Sequence, residues 1–309
     1  MTADRTDCRC CGAELPSVAA LSGVDRLAGV AGRFEVRICT SCGSGTTFPI
    51  VEDSGLAAFY GEEYNPHGGW QPPRGILTML SRRIRKFISN RALASQPLVA
   101  LRGRTGRVLD VGCGRGDLGA LLIAQGWDAT GLEPSPDACE IARGQGVEAI
   151  NGTLTEVDLA GRAFEAITYQ HSLEHVNDPA RDLEIAAGLL SAEGLLLVSV
   201  PNFGCAQRKI FGGRWFHLDL PRHRFHYTAD GLKALADRAG LEVQSITTSS
   251  TPVGLPGSLM YATFGRWLFR GPVTTRLYTL GSLALYPLVL LIDKFGGGDA
   301  LHMVAVKPA

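Results

Sequence analysis

Between residues 106 and 250, short apolar segments with the period of strands alternate with segments that have the period of helices. This alternation is typical of a parallel sheet that helices cover on both faces. We therefore predict a doubly wound α/β sheet, with ligands bound at the carboxyl ends of its strands. The predicted strands are Arg107–Val111, Ala129–Glu133, Val147–Ile150, Ala166–Gln170, Leu195–Val200 and Leu241–Thr247, and the predicted helices are Leu118–Gln125, Pro136–Arg143, Pro179–Leu190 and Ala229–Ala239.

A glycine-rich turn follows the first predicted strand. Glycine permits a tight turn and lets a ligand approach the backbone closely. A dinucleotide-binding turn has the spacing G-x-G-x-x-G, which would require glycine at position 117, where this chain has aspartate. The observed spacing is G-x-G-x-G, and an acid ends the second strand, which suits a ligand with a ribose and no pyrophosphate. The residues are Asp110, Gly112, Cys113, Gly114, Gly116 and, at the end of the second strand, Glu133.

This arrangement resembles the D-x-G-x-G-x-G loop of the class I S-adenosylmethionine (SAM)-dependent methyltransferases, which have a Rossmann-like sheet. The resemblance implies that the loop from Asp110 to Gly116, including Cys113, faces the amino-acid end of SAM, and that Glu133 binds the ribose. It places Gly152, Thr153 and Leu154 around the adenine, and Gln170 and His171 beside the sulfonium. The family often has aspartate where this chain has Thr153, so we expect backbone groups to contact the adenine amino group. An ordinary strand–helix turn is the alternative interpretation of the loop taken alone.

The segment Leu173–Pro179 resembles the L-E-H-V-x-D-P segment of a methyltransferase subgroup that modifies small molecules, sugars and lipid-linked compounds. The stretch from Trp215 to Thr228 resembles the loop that closes the acceptor pocket in that subgroup. Histidine suits the removal of a proton from an acceptor hydroxyl because its ordinary pKa is about 6.5. We predict His223, and after it His175, as the base, with Glu174 orienting it.

Other interpretations of these residues stay open. Five histidines, His171, His175, His217, His223 and His226, are expected near the carboxyl ends of the strands. Glu174 and His175 could instead cap the helix that begins near residue 179, and His223 could be structural. A divalent cation held by His171, Glu174, His175 and a loop histidine is a third possibility, although a hydroxyl acceptor does not require a metal.

Five of the eight cysteines lie within the first 42 residues, and four of these form two C-x-x-C-G patterns. In a reducing cytosol, such clustering favours a metal over disulfides. Two turns of this kind hold one tetrahedral Zn²⁺ with four thiolates. The predicted ligands are Cys8, Cys11, Cys39 and Cys42, because Cys10 does not keep the spacing. An N-terminal zinc ribbon is also part of the resemblance, which implies a structural zinc.

The net charge of zero conceals segments of very different charge. Residues 65–109 carry nine basic and no acidic side chains, whereas residues 1–64 have a net charge of −4. The acidic ribbon argues against nucleic acid as a partner. The basic helix within residues 74–107 and the apolar insert at 255–292 together favour an anionic membrane surface or a lipid-linked acceptor over nucleic acid. The alternative is that both simply pack on the sheet as additional cover. The apolar run Leu277–Ile292 is too short for a spanning helix, so we expect a buried or interfacial helix pair.

The sequence thus predicts a zinc-ribbon domain over residues 1–50, a linker with a basic amphipathic helix over 51–105, and a methyltransferase domain over 106–309. A C-terminal apolar helical insert at 251–298 precedes the last strand. The N-terminus has charges and cysteines where a signal peptide would be apolar, which predicts a cytoplasmic protein. The predicted function is SAM-dependent methylation of a small-molecule, sugar or lipid-linked acceptor. The alternatives are a zinc-ribbon scaffold protein with an inactive methyltransferase fold, and a nucleic-acid methyltransferase.

Overall fold

The computed structural model describes residues 6–60, 97–268, 272–295 and 297–309. The strands in these ranges are β1 (Leu21–Gly23), β2 (Phe34–Ile38), β3 (Gly45–Phe48), β4 (Gly106–Val111), β5 (Trp127–Glu133), β6 (Glu148–Asn151), β7 (Phe164–Gln170), β8 (Leu190–Pro201), β9 (Phe225–His226), β10 (Glu242–Ser249) and β11 (Ala300–Val306). The α-helices are α1 (Asp53–Leu56), α2 (Asp117–Ile123), α3 (Pro136–Gly144), α4 (Pro179–Leu189), α5 (Ala206–Phe211), α6 (Ala229–Arg238), α7 (Gly254–Phe264) and α8 (Pro272–Lys294).

The larger sheet has the strand order β10–β11–β8–β7–β4–β5–β6. Strands β4 to β8 pair in parallel, and β11 is antiparallel to both β8 and β10. The central strands are buried; Leu109, Ile167 and Leu196, for example, have no exposed surface. This is the α/β sheet that the alternating pattern predicts, and it brings the carboxyl ends of β4, β5 and β7 together at one edge.

Helices α3 and α4 begin at the predicted prolines because each has a capping side chain just before it. Ser135 accepts a hydrogen bond from the N–H of Ala138, and Asp178 accepts one from the N–H of Arg181. Proline suits the first helical position, where no N–H partner is needed. Asp178 is therefore the cap of α4, and the interpretation of Glu174 and His175 as caps is wrong.

Strand β8 begins five residues earlier than the sequence predicts. Its pairing with β7 jumps from Leu190, opposite Phe164, to Leu195, opposite Ala166. The residues between them form an irregular stretch with Glu193 in a left-handed conformation, at φ 58°. An irregularity of this kind has no hydrophobic period, so the sequence pattern does not reveal it.

A smaller antiparallel sheet has the order β1–β2–β3–β9. Its first three strands come from the cysteine-bearing N-terminal region, and β9 comes from the loop predicted to close the acceptor pocket. In the pairing of β3 with β9, Gly45 lies opposite His226 and Thr46 opposite Phe225. The N-terminal region thus completes its sheet with a strand from beyond the predicted boundary at residue 50.

Helices α7 and α8 lie between β10 and β11, where the sequence places the apolar insert. Pro287 lies within α8. Within the described ranges, no helix has both the length and the hydrophobicity that a membrane span needs. Several apolar side chains of these two helices are exposed, namely Leu259, Phe264, Leu288 and Leu291. Most of the basic helix predicted at 74–107 lies outside the described residues. The predicted contact with a membrane therefore stays a prediction.

Candidate functional site

The glycine-rich turn between β4 and α2 depends on its three glycines. Gly112, Gly114 and Gly116 have φ values of 77°, 53° and 82°, a region that other L-residues rarely adopt. A Cβ atom at Gly112 would lie 2.5 Å from Cβ of Ser172, and one at Gly116 would lie 2.8 Å from Cβ of Ala142. These close approaches bring the turn against the end of β7 and against α3, at the carboxyl edge of the sheet.

Glu133 lies at the end of β5 with only 8% of its surface exposed. Its carboxylate accepts hydrogen bonds from the N–H of Gly114 and from the N–H of Ser135, both at 2.9 Å. These two bonds fix the carboxylate beside the turn. A carboxylate has about four acceptor sites, so further sites can accept hydrogen bonds from a ligand. This geometry fits the predicted contact with the two ribose hydroxyls.

Asp110 lies beneath the turn and is 3% exposed. It accepts a hydrogen bond of 2.6 Å from the hydroxyl of Thr168 on β7. Burial, and then the nearby charge of Glu133, raise the pKa of the Asp110 carboxyl to about 6. The structure therefore gives Asp110 a role in holding β4 to β7. Cys113 is likewise buried, next to Gly131.

The predicted adenine-flanking residues follow β6. The N–H of Gly152 donates to the carbonyl of Glu133 at 3.0 Å, and Leu154 is 2% exposed. The hydroxyl and the N–H of Thr153 both donate to the carboxylate of Glu156, at 2.7 and 3.1 Å. The hydroxyl oxygen of Thr153 keeps lone pairs that can accept a hydrogen bond from an adenine amino group. The expected contact through backbone groups therefore stays a prediction.

Two side chains at the end of β7 border the site. The side-chain nitrogen of Gln170 is buried, and no hydrogen-bond partner for it lies in the described part of the chain. His171 adopts a left-handed backbone conformation, at φ 55°, and 44% of its side chain is exposed. A buried amide without a partner is costly, so it marks a place where a polar ligand fits. Together with the glycine turn and Glu133, this atom supports SAM as the ligand.

Glu174, His175 and His223 form a cluster next to these residues. One ligand atom from each lies within 4.8 Å of the other two, and the two imidazole ring centres are 4.8 Å apart. Glu174 is 1% exposed, and over the described residues its Oε2 has no hydrogen-bond partner. Its Oε1 lies 4.0 Å from Nε2 of His223 and 3.6 Å from Nδ1 of His171. The cluster could receive a proton or hold a divalent cation.

Backbone carbonyls fix the tautomers of both cluster histidines. Nδ1 of His223 lies 2.9 Å from the carbonyl oxygen of His217, and Nδ1 of His175 lies 3.0 Å from that of Arg222. A carbonyl oxygen only accepts, so each Nδ1 carries the hydrogen. The neutral rings therefore have their lone pairs on Nε2, and in His223 this atom faces Glu174.

The charges in the cluster follow from burial and from the neighbouring rings. Burial opposes ionisation of Glu174, but contact with His171 and the charges of His175 and His223 outweigh it and hold the carboxyl's pKa below its usual range. Burial, and then the charge of His175, lower the pKa of His223 to about 4. At neutral pH the carboxylate is ionised while His223 is neutral.

Two of the five predicted histidines, His217 and His226, contact side chains outside the cluster. Nε2 of His217 lies 2.9 Å from the hydroxyl of Thr251 and 3.5 Å from the carboxylate of the buried Asp299. Nε2 of His226 lies 2.9 Å from the hydroxyl of Thr47. Both rings are thus engaged with neighbouring side chains, and of the three loop histidines only His223 joins the cluster.

The predicted metal ligands also come together. The sulfur atoms of Cys8, Cys11, Cys39 and Cys42 all lie within 4.8 Å of one another. In both turns the N–H of the following glycine donates to the carbonyl of the first cysteine, at 2.7 Å for Gly12 and 2.9 Å for Gly43. Both glycines have positive φ, at 80° and 71°. Cys10 is buried but lies outside this group, as its spacing predicts. The four thiolates fit a tetrahedral zinc ion.

A buried ion pair that the sequence does not predict holds the N-terminal region to the acceptor loop. Arg222 is fully buried, and its guanidinium donates to Asp25 at 2.9 Å, to Asp219 at 2.6 Å and to the carbonyl of Phe59 at 2.7 Å. Arg224 donates to the carbonyl oxygens of Val51 and His175. The signal available was the presence of Asp219, Arg222 and Arg224 in a segment with several large apolar residues, which is unusual.

The parallel sheet, the glycine-rich turn and the buried acid on the next strand define an α/β protein that binds a nucleoside-bearing ligand at the carboxyl ends of its strands. The chain belongs to the methyltransferase-domain family, whose model matches residues 79–246. It is a SAM-dependent methyltransferase.

Two curated relatives and one solved structure are similar to this chain. A ubiquinone biosynthesis O-methyltransferase of Xylella fastidiosa is 36% identical over 208 residues, which cover 62% of this chain and 78% of the relative. A protein of the same name from Cereibacter sphaeroides is 28% identical over 216 residues, covering 64% of this chain and 84% of the relative. The solved structure of a SAM-dependent methyltransferase from Thermotoga maritima aligns with a TM-score of 0.48 and 21% identity, over 74% of this chain and 95% of that one.

Proposed function

We propose that this methyltransferase transfers the methyl group of SAM to a hydroxyl oxygen of a small acceptor, and that the Glu174–His175–His223 cluster receives the proton. The observation that carries the proposal is the position of this cluster. It lies near the carboxyl end of β7, beside His171, and brings imidazole lone pairs and a buried carboxylate together. The names of the relatives, which are O-methyltransferases of ubiquinone biosynthesis, support oxygen as the acceptor atom.

When bound, SAM supplies a methyl group on a positively charged sulfur, and the C–S electron pair stays on the sulfur. The chain's own residues must align the acceptor oxygen with that methyl group and take up the hydroxyl proton. Nε2 of His223 or of His175 accepts the proton, and the O–H electron pair remains on the oxygen that forms the new bond. The ionised carboxylate of Glu174 stabilises the imidazolium as it forms, which offsets the low pKa of His223.

A divalent cation is the second candidate for the cluster, favoured by the Glu174 oxygen that lacks a partner within the described residues. A cation held by Glu174, His175 and His223 would lower the pKa of a hydroxyl bound to it. In both His175 and His223, Nδ1 donates a hydrogen bond to a backbone carbonyl oxygen and Nε2 could bind the cation. This is the usual arrangement of a metal-binding histidine.

The test is a product analysis with isotope-labelled SAM and a panel of phenols, dihydroxybenzoates, lipid-linked hydroxyl compounds, sugars, amines and nucleic acids. We expect one O-methylated product for each S-adenosylhomocysteine formed. Activity that survives removal of loosely bound divalent cations identifies the cluster as a proton acceptor, whereas loss that Mg²⁺ or Mn²⁺ restores identifies a cation site. An N-methylated, C-methylated or nucleic-acid product would contradict the proposal, and SAM binding without transfer to any acceptor would favour a scaffold protein.

We also propose that Cys8, Cys11, Cys39 and Cys42 hold a structural Zn²⁺. The proximity of the four sulfur atoms and the two glycine turns support it. A site closed by four thiolates leaves no position for substrate, so the metal would act by holding the N-terminal strands in place.

A further inference from the structure

The N-terminal module, residues 6–60, reaches into the acceptor loop, residues 215–228. Strand β3 of the module pairs with β9 of the loop, and the N–H of Thr47 donates to the carbonyl of Arg224 at 2.9 Å. Thr47 itself is 1% exposed. Its side chain is therefore in a position to act on the loop that carries His223.

The hydroxyl of Thr47 makes two contacts whose directions are fixed by chemistry. It lies 2.7 Å from the carbonyl oxygen of His223 and 2.9 Å from Nε2 of His226. A carbonyl oxygen only accepts, so the single hydroxyl hydrogen goes to His223. The hydroxyl oxygen must then accept the hydrogen on Nε2 of His226. Thr47 therefore sets the tautomer of His226 and anchors the peptide group that follows His223.

The hydrogen bond from Thr47 to the carbonyl of His223 adds to two others that His223 makes. The N–H of His223 donates to the carbonyl of Asp219 at 3.0 Å, and its Nδ1 donates to the carbonyl of His217. With Thr47 at its carbonyl, His223 is held at its N–H, its carbonyl and its ring. Nε2 faces Glu174 and is the ring nitrogen with the lone pair, so it is the atom that can accept the proton.

We propose that Thr47 is a positioning residue for methyl transfer, which makes the N-terminal module part of the acceptor side of the active site. The inference rests on the proposed function, because it acts through His223. Loss of the hydroxyl would leave two buried groups, the carbonyl of His223 and Nε2–H of His226, without their partner. The loop would still be held to the module by the pairing of β3 with β9 and by the buried pair of Arg222 with Asp25. The expected consequence is a displaced His223 in a folded protein.

The test compares Thr47→Val, which keeps the shape and removes the hydroxyl, with Thr47→Ser, which keeps the hydroxyl. Thr46→Val is the matched control, because Thr46 is the preceding residue of β3 and its side chain points to the opposite face. We expect Thr47→Val to lower kcat about 10- to 100-fold, in line with a displaced general base. The affinity for SAM should stay within about threefold of wild type, and both Thr47→Ser and Thr46→Val should keep kcat within about threefold.

A second measurement does not depend on the acceptor. Nitrogen-15 NMR of the histidine rings should show Nε2–H in His226 of wild type and Thr47→Ser, and its loss or exchange broadening in Thr47→Val. A wild-type kcat in a Thr47→Val protein would overturn the inference, as would an unchanged His226 signal. The proposed function is tested separately, because its failure would appear as unchanged activity after Glu174→Gln, whatever Thr47→Val does.

Discussion

Replacing Glu174 with glutamine is expected to lower kcat at least 100-fold while SAM binding stays within about threefold of wild type. The substitution preserves the size of the side chain and removes the buried negative charge that faces Nε2 of His223 at 4.0 Å. The imidazolium that forms when His223 takes up the proton is buried. Without the negative charge of Glu174, it loses the stabilisation that this charge provides. The measurement is the initial rate of methylated product at saturating SAM, alongside calorimetric titration of SAM.

Glu184→Gln is the matched control. Glu184 lies on α4, ten residues further on, where it makes an exposed pair with Arg181. An exposed pair of this kind contributes little to stability, so the control should keep the wild-type rate. A Glu174→Gln protein that retains more than about a third of the wild-type rate would show that the cluster does not receive the proton.

Replacing Cys39 with serine is expected to abolish stoichiometric zinc binding and methyl transfer together. Structural zinc sites of this type contribute about 10 kcal/mol or more to folding, and serine does not replace a thiolate ligand. Cys39 follows β2 directly, and the second turn leads into β3, which pairs with the loop that carries His223. Loss of the metal should therefore release β3 and displace the acceptor loop.

Metal content by mass spectrometry and the near-ultraviolet circular dichroism spectrum measure the two effects. Cys10→Ser is the control, because Cys10 is buried nearby but lies outside the group of four sulfurs. It should retain one zinc per chain. A Cys39→Ser protein that also retains one zinc, or a wild-type protein that contains none, would refute the four-thiolate site.

The sequence predicted those parts of the site that depend on local chemistry. The glycine turn follows from backbone conformations that only glycine adopts easily, and Glu133 follows from its place at the end of a strand. The four cysteines follow from the spacing of two turns. The binding of the cofactor by Asp110 stays a prediction. The sequence did not reveal the hydrogen bond that its carboxylate accepts from Thr168, because the two residues are 58 positions apart.

The contacts between the N-terminal module and the acceptor loop could not be predicted in the same way. Asp25 and Arg222 are separated by 197 residues, and Thr47 and His226 by 179. Strand β9 has only two residues, too few to show a period. Pairs of this kind arise only when two distant segments fold against each other, so neither segment shows a pattern that reveals the other.

We expect the chain to bind SAM through the glycine turn and Glu133 and to use it for methyl transfer. Calorimetric titration of SAM into wild-type protein and into Glu133→Ala tests it most directly, with Glu140→Ala, an exposed position on α3, as the control. We expect one SAM per wild-type chain and per control chain. In Glu133→Ala we expect binding about 100-fold weaker, because two charge-assisted hydrogen bonds to the ribose are lost. Equal affinity in Glu133→Ala and wild type would contradict a contact between Glu133 and SAM, and no binding to wild type would contradict SAM as the cofactor.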